Sequence, residues 1–320
     1  MQSIPRQMKA AAIDKFGGPE VLHAETLPVP SPGPTQVLIR LESAGIGVWD
    51  PYVRTGQLAD ELGKGGFPRV IGNDGAGDLV AVGDGVKRFK PGDQVYAFGL
   101  EGGFYAEYAA IEEDEVAPVP KGLSMVEAGA LAVDGITALQ GLEDHLHLAK
   151  GQKVLIFGAS GGIGHLAVQL AKRTGASVLA VASGADGVAL VKKLGADRAL
   201  DGKKDDVART VDEFAPGGLD AALVLTGGPG ADAAVAKVRK GGRVAYPNGV
   251  EPAPKVPQGV TAEAYDGKPA REAFERLNHL VAAGPFHVEL GRTYRLEEAA
   301  KAHRELEQHH LGKLAFRIRA

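Results

Sequence analysis

Cysteine is absent from this 320-residue chain, which excludes disulfides and every metal site built on thiolates. No apolar run approaches the roughly 18 residues of a membrane-spanning helix. The start, MQSIPRQMKAAAIDKFGG, lacks the apolar core of a signal peptide. A basic excess is missing too: 36 Lys and Arg face 40 Asp and Glu, a formal net charge of −4. Nucleic-acid and anionic-membrane surfaces need a basic footprint, so neither partner is expected. These absences predict a soluble, cytoplasmic protein.

Glycine, by contrast, is plentiful: 45 residues, gathered in short clusters rather than repeats. Such clusters mark tight turns and close backbone approaches. Apolar content of 44% and charged content of 24% are those of an ordinary globular protein. At 320 residues the chain exceeds the size at which one core keeps growing, so two domains are expected.

One glycine cluster lies in KVLIFGASGGIGHLAVQLAKRTGASVLAVAS, Lys153 to Ser183. KVLIFG is a short apolar run of the kind that forms a strand buried on both faces. From Ile163 through Leu166, Ala167 and Leu170 the apolar spacing is helical, and SVLAVA reads as a second strand. Ala159, Gly161 and Gly164 fall on the dinucleotide fingerprint, with Ala in the first glycine place. A pyrophosphate is held by backbone N–H groups at a helix N-terminus and cannot approach them past a Cβ. Gly161 and Gly162 remove that obstacle, and Gly164 lets helix and strand pack closely. The backbone from Ser160 through Gly161 and Gly162 to Ile163 is therefore the expected phosphate cradle. Purely structural turns carry similar glycines; the position between a strand and a helix favours dinucleotide binding.

The same alternation continues in LVKKLGADRAL, LDAALVLTG and KVRKGGRVAYPNG, as a doubly wound parallel sheet requires. Ahead of it, SMVEAGALAVDGITALQGL reads as helix, with Ser124 and Glu127 as a capping box. Residues 122–262 are read as the nucleotide-binding domain. Residues 1–121 are rich in short strands and Gly/Pro turns, an all-β pattern in a partly closed barrel style. The C-terminal segment adds a helix and a last strand.

Several motifs together resemble one family: MKAAAIDKFGGPEVL, GNDGAGDLVAVGDGVKRFKPGDQVYAF, GGFYAEYAAI, GASGGIGHLAVQLAK, KKLGAD and RLEEAAKAHRELEQHHLGK. The chain resembles the zinc-free medium-chain dehydrogenases/reductases of the quinone oxidoreductase (zeta-crystallin-like) branch. The resemblance implies an α/β protein with a GroES-like catalytic domain, 1–121 together with 263–320. A Rossmann domain of doubly wound parallel sheet is then inserted at 122–262. It also implies a homodimer joined by sheet edges. Zinc-containing relatives carry Cys and His ligands where this chain has Gly47 and Asn73, so no catalytic metal is expected. His309 and His310 are adjacent, which on a helix points them to different faces.

Without a Lewis acid, alcohol oxidation is hard, whereas quinones and enones are already electrophilic. The resemblance implies hydride transfer from NADPH, or NADH, to such an acceptor. Enone or enoyl reduction with little quinone activity is one alternative; a non-catalytic dinucleotide-binding protein is another. Tyr52 matches the family tyrosine bordering the substrate, with core packing as the competing reading. Trp49 is a stacking candidate or a packing residue, and Asn73 an amide donor or a loop-fixing side chain. Many relatives place Asn where this chain has Gly47. Ser183, at the end of SVLAVA, leaves room for a 2′-phosphate where NAD binders carry Asp or Glu. Asp186 is expected to turn outward, and Lys203 and Lys204 supply positive charge or a solvated turn. Relatives that prefer NADPH often carry Lys and Tyr where this chain has Gly187 and Gly202. By resemblance, Thr137 lies near the phosphates. Thr226 and Gly227 lie beside the adenosine, and Asn248 and Gly249 border the nicotinamide ribose.

Overall fold

In the computed structural model, residues 4–58 and 66–319 are described. Among the described residues, apolar residues in short runs between glycine and proline turns form eight strands before residue 121. These are β1 (Gln7–Ile13), β2 (His23–Pro28), β3 (Gln36–Ile46), β4 (Arg69–Val70), β5 (Asp74–Val82), β6 (Gln94–Phe98), β7 (Tyr108–Glu112) and β8 (Val116–Pro118). Helix α1 (Asp50–Thr55) begins with an Asp-Pro pair, the proline suiting a first turn whose N–H groups have no intrahelical partner. It ends at Gly56, whose φ of 83° is a left-handed cap that glycine adopts without cost. Helix α2 (Met125–Gly129) carries the expected capping box: Ser124 N donates to Glu127 Oε2 at 2.8 Å, and Glu127 N donates to Ser124 Oγ.

The second set of elements runs from α3 (Ala132–Gln140) through β9 (Lys153–Phe157), α4 (Gly162–Thr174), β10 (Ser177–Ala182), α5 (Gly184–Lys193) and β11 (Arg198–Asp201). It continues with α6 (Val207–Phe214), β12 (Leu219–Val224), α7 (Pro229–Val235), β13 (Val238–Pro247) and β14 (Thr261–Tyr265). The chain then adds α8 (Arg271–Ala282), β15 (Leu290–Tyr294), α9 (Ala299–Leu306) and β16 (Lys313–Arg317).

Contacts divide the chain into two units. The first comprises residues 1–133, 269–285 and 290–320; the second comprises 134–268 and 286–289. These bounds differ from the 121/122 and 262/263 read from the sequence. The single helix expected from Ser124 onward is in fact broken at 130–131. Its first part, α2, packs on β3 and β5 in the first unit. Gly129 meets β3 so closely that a Cβ there would lie 2.2 Å from Ser43 Oγ. The second part, α3, starts where the Asp74 carboxylate accepts from Val133 N at 3.3 Å, a cap supplied from β5.

In the first unit, β3 pairs antiparallel with β5, β7 and β16, inside a seven-stranded sheet in which six strands run β15-β16-β3-β5-β6-β8 and β7 joins β3 off that path. Register shifts between β3 and β5 bend the strands, as closure toward a barrel requires. A smaller sheet, β2-β1-β4, is antiparallel. Ile39, Leu41, Ile46, Leu79, Val95 and Phe316 fill the core. The second unit is a fully parallel six-stranded sheet ordered β11-β10-β9-β12-β13-β14. Numbering its strands from β9, that order is 3-2-1-4-5-6, which defines the dinucleotide-binding doubly wound sheet. The architecture is thus a GroES-like β-rich unit and a Rossmann unit. His309 and His310 lie beyond α9, not on it, so the argument from helix faces does not apply to them. No described helix is long and apolar enough to cross a membrane.

Candidate active site

In the second unit, the strand order reverses between β9 and β12, and ligands of such sheets bind at the carboxyl ends beside that switch point. Gly158, directly after β9, has φ of 86°, so the turn itself demands glycine. Gly158 N and Ala159 N both donate to Val181 O on β10. Gly158 stands one residue before the fingerprint read from Ala159, and its signal in the sequence is a glycine closing an apolar strand. Gly164 behaves as expected, since a Cβ there would lie 2.3 Å from Gly158 O and 2.7 Å from Ala159 Cα.

Gly161 is different. It is the N-cap of α4 with φ of −81°, and no side chain caps the helix. A Cβ at 161 would meet only Gly158 O, at 3.6 Å. The first-turn N–H groups of α4, from Gly162 and Ile163 on, have no intrahelical acceptors, and the approach past Gly161 is open. His165 holds that turn in place. Its Nε2 accepts from Glu289 N at 3.0 Å, so Nδ1 carries the proton and donates to Gly161 O at 2.9 Å. Burial lowers its pKa, which keeps the ring neutral. Such a cradle fits a dinucleotide pyrophosphate.

Ser183 ends β10 as the half-buried N-cap of α5, and its N–H donates to the buried Ser160 Oγ at 3.4 Å. Ser160 and Ser183 are therefore neighbours at the cradle. Asp186 is exposed, as expected, and takes a hydrogen bond from Gly187 N. A Cβ at Gly187 would lie 2.9 Å from Ser160 Oγ, and one at Gly202 would lie 2.7 Å from Val181 Cγ1. The two places where relatives carry Lys and Tyr are thus tightly packed. Lys203 and Lys204 are exposed in the turn after β11, next to Gly202, whose N–H donates to Ala182 O on β10.

Thr226 is exposed just after β12, and a Cβ at Gly158 would lie 3.4 Å from its Cγ2, so it borders the cradle. Gly227 packs on the backbone of Pro252. Asn248 donates through its amide to Asp266 Oδ2 at 2.8 Å. With Gly249 it lines an open hollow of about 720 Å³. Thr137 is buried in α3 against the backbone of Gly267, and its carbonyl accepts from Tyr265 OH at 2.9 Å.

In the first unit, the half-buried Tyr52 rises from α1 with its ring edge-on to Trp49 at 5.9 Å. Its hydroxyl bonds to none of the described residues. Trp49 packs against the core beside it, which favours the packing reading over stacking on an acceptor. Asn73 requires a correction. Its Nδ2 donates to Gly99 O at 2.8 Å and Leu100 O at 3.3 Å, which uses both amide hydrogens. Only its acceptor oxygen is left over. Asn73 fixes a loop and has no hydrogen to offer a substrate.

Sequence reasoning missed what anchors α1. Asp50 Oδ2 accepts from Gly47 N at 2.7 Å and from Tyr105 OH at 2.6 Å. The Tyr105 oxygen accepts from His303 Nε2 at 3.1 Å, while His303 Nδ1 accepts from Arg54 at 2.8 Å. All four side chains are buried. Burial, with the Arg54 guanidinium adding to it, pushes the His303 pKa down to about 3, so the neutral tautomer is the one this chain of bonds requires. Both ends of the short helix are thereby tied to α9 and to the core.

A dinucleotide cradle on a Rossmann sheet, joined in one chain to a GroES-like unit, defines a nicotinamide-type oxidoreductase. The chain matches the models described as "Alcohol dehydrogenase GroES-like domain" over residues 33–121 and "Zinc-binding dehydrogenase" over 162–257. It is 30% identical to the quinone oxidoreductase of Mus musculus over 93% of this chain and 94% of that protein. It is 33% identical to a chloroplastic NADPH-dependent alkenal/one oxidoreductase of Arabidopsis thaliana, over 88% of this chain and 71% of that one. A solved NAD-dependent alcohol dehydrogenase superposes with a TM-score of 0.88 at 30% identity, covering 98% of this chain and all of that one. The chain belongs to the medium-chain dehydrogenases/reductases, in their zinc-free quinone oxidoreductase branch, and is an oxidoreductase.

Proposed function

We propose that the protein is an NADPH-dependent reductase of quinones or α,β-unsaturated carbonyls, working without a catalytic metal. The observation that carries this reading is the uncapped N-terminus of α4, open past Gly161 at the switch point of the parallel sheet. Ser160, Gly161, Gly162 and Ile163 would hold the pyrophosphate there, with Ser183 beside the adenosine ribose and Thr226 bordering the turn. The bound nicotinamide supplies hydride. The chain supplies position and hydrogen bonds, foremost the unengaged hydroxyl of Tyr52 toward an acceptor oxygen. Gly47, where many relatives have Asn, and the alkenal/one oxidoreductase relative favour enones as a second class beside quinones. Steady-state NADPH oxidation with a quinone, an enone and no acceptor tests the proposal. Acceptor-dependent turnover is expected, and a rate that no acceptor raises would overturn it. We further place the protein in the cytoplasm as a homodimer. The exposed edge strand β14, whose outer hydrogen-bonding edge seeks a partner strand, supports that assembly.

Cofactor choice turns on Ser183. An acidic side chain there would face a 2′-phosphate while offering an acceptor to the 2′-OH of NADH. Like-charge contact at such range costs on the order of 1–3 kcal/mol. Ser183→Asp should therefore lower the NADPH/NADH preference by roughly tenfold to a hundredfold. Measuring kcat/KM with both cofactors decides it; an unchanged ratio would remove Ser183 from the ribose site.

A further inference from the structure

We propose that Asp14, His23 and Glu25 form a binding site for a divalent transition cation of the zinc class, apart from the reaction. The register Ala12↔His23 and Ala10↔Glu25 places these residues on one face of the β1–β2 hairpin. Asp14, two residues beyond Ala12, continues that face. His23 Nε2 lies 3.4 Å from Asp14 Oδ2 and 3.6 Å from Glu25 Oε2, and all three ligand atoms fall within 4.8 Å of one another.

The chemistry of the three atoms calls for a cation. His23 Nδ1 stands 3.1 Å from Val21 O. A carbonyl only accepts, so Nδ1 carries a proton, and in the neutral form of the ring the lone pair lies on Nε2, facing the carboxylates. A backbone carbonyl orienting the far ring nitrogen in this way is the usual outer support of a metal-bound histidine. Three acceptors thus converge. Two ligands about 2.0–2.1 Å from zinc at the tetrahedral angle stand about 3.3–3.4 Å apart, close to the spacing found. Glu25 Oε2 is shut off from solvent and has no hydrogen-bond partner, a costly state for a carboxylate oxygen unless a cation meets it. Among the described residues, neither carboxylate is paired with Lys or Arg. Imidazole with two carboxylates suits zinc and its first-row neighbours better than magnesium or calcium, and a fourth position remains for water.

The site would close the loop between Asp14 and His23. Within that loop, Gly17 N donates to Arg54 O at 3.2 Å, and Arg54 Nε donates to Gly17 O at 3.1 Å. A cation there would therefore fasten the loop that grips α1, a structural role. Calorimetric titration of the chelator-treated full chain with ZnCl2, alongside thermal melts, is the test. One saturable micromolar site per chain is expected, with a rise in melting temperature and no response to Mg²⁺. His23→Gln and Asp14→Asn change solvent-facing side chains, so the fold should hold. Each should weaken zinc binding by at least about tenfold and remove the thermal shift. No saturable binding below about 1 mM would overturn the proposal and leave the trio an ion pair. Binding unchanged in both variants would overturn it as well, by placing zinc elsewhere. Equal binding of Mg²⁺ would overturn the choice of cation.

Discussion

Gly161→Val should remove at least about 99% of the dinucleotide affinity, a loss on the order of 3 kcal/mol, while the protein stays folded. Valine is allowed at a φ of −81°. Its Cβ would meet no protein atom closer than Gly158 O at 3.6 Å, so nothing in the chain resists the side chain. What it would occupy is the approach to the first N–H groups of α4, where phosphate oxygens must come close. Gly164→Val is the instructive contrast. There the Cβ would lie 2.3 Å from Gly158 O, so that variant should lose stability rather than affinity alone. Calorimetric titration with NADPH, paired with thermal melts, separates the two. Unaltered NADPH affinity in a folded Gly161→Val protein would move the dinucleotide away from this turn.

The contrast also shows which features a sequence can carry. The Rossmann unit was legible because its signals are local: KVLIFG runs straight into the glycines, and helical spacing follows within a few residues. The Ser124–Glu127 capping box is local too, and both of its hydrogen bonds are present. The break after α2 was not legible, since the carboxylate that starts α3 belongs to Asp74, 59 residues away in the chain. Asn73 failed as a donor candidate for the same reason: its amide is used by carbonyls 26 and 27 residues on.

The anchoring of α1 was farther still from view. Arg54 and His303 are 249 residues apart in sequence, and nothing in DPYVRTG marks Asp50 or Arg54 as buried. The turn glycine at 158 was within reach as a glycine closing the apolar run KVLIF, although it lies outside the spacing of Ala159, Gly161 and Gly164. Sequence spacing reports which residues share a strand or helix face. It does not report which distant carbonyl has already taken a side chain's hydrogen.

Tyr52→Phe should slow enone reduction by roughly tenfold to a thousandfold, about 1.4–4 kcal/mol of lost stabilisation, and slow quinone reduction only mildly. Several other donors of the first unit are already engaged. Asn73 has spent its amide hydrogens on Gly99 and Leu100. Tyr96, Tyr105 and Tyr294 already donate to Asn278, Asp50 and Glu305. The Tyr52 hydroxyl stands without a bond to the described residues, on a helix fixed at both ends by the Asp50–Tyr105–His303–Arg54 run. A donor held in place before reaction loses little on reorganising, which is what makes such a bond effective against a growing oxyanion. An enone concentrates that charge on one oxygen; a quinone spreads it over a ring and gains less from the bond. Phenylalanine keeps the ring that packs on Trp49, so α1 should remain in place. NADPH affinity should be unchanged. Measuring kcat for the variant on one enone and one quinone decides the matter: negligible losses on both would make Tyr52 a packing residue and assign protonation to solvent.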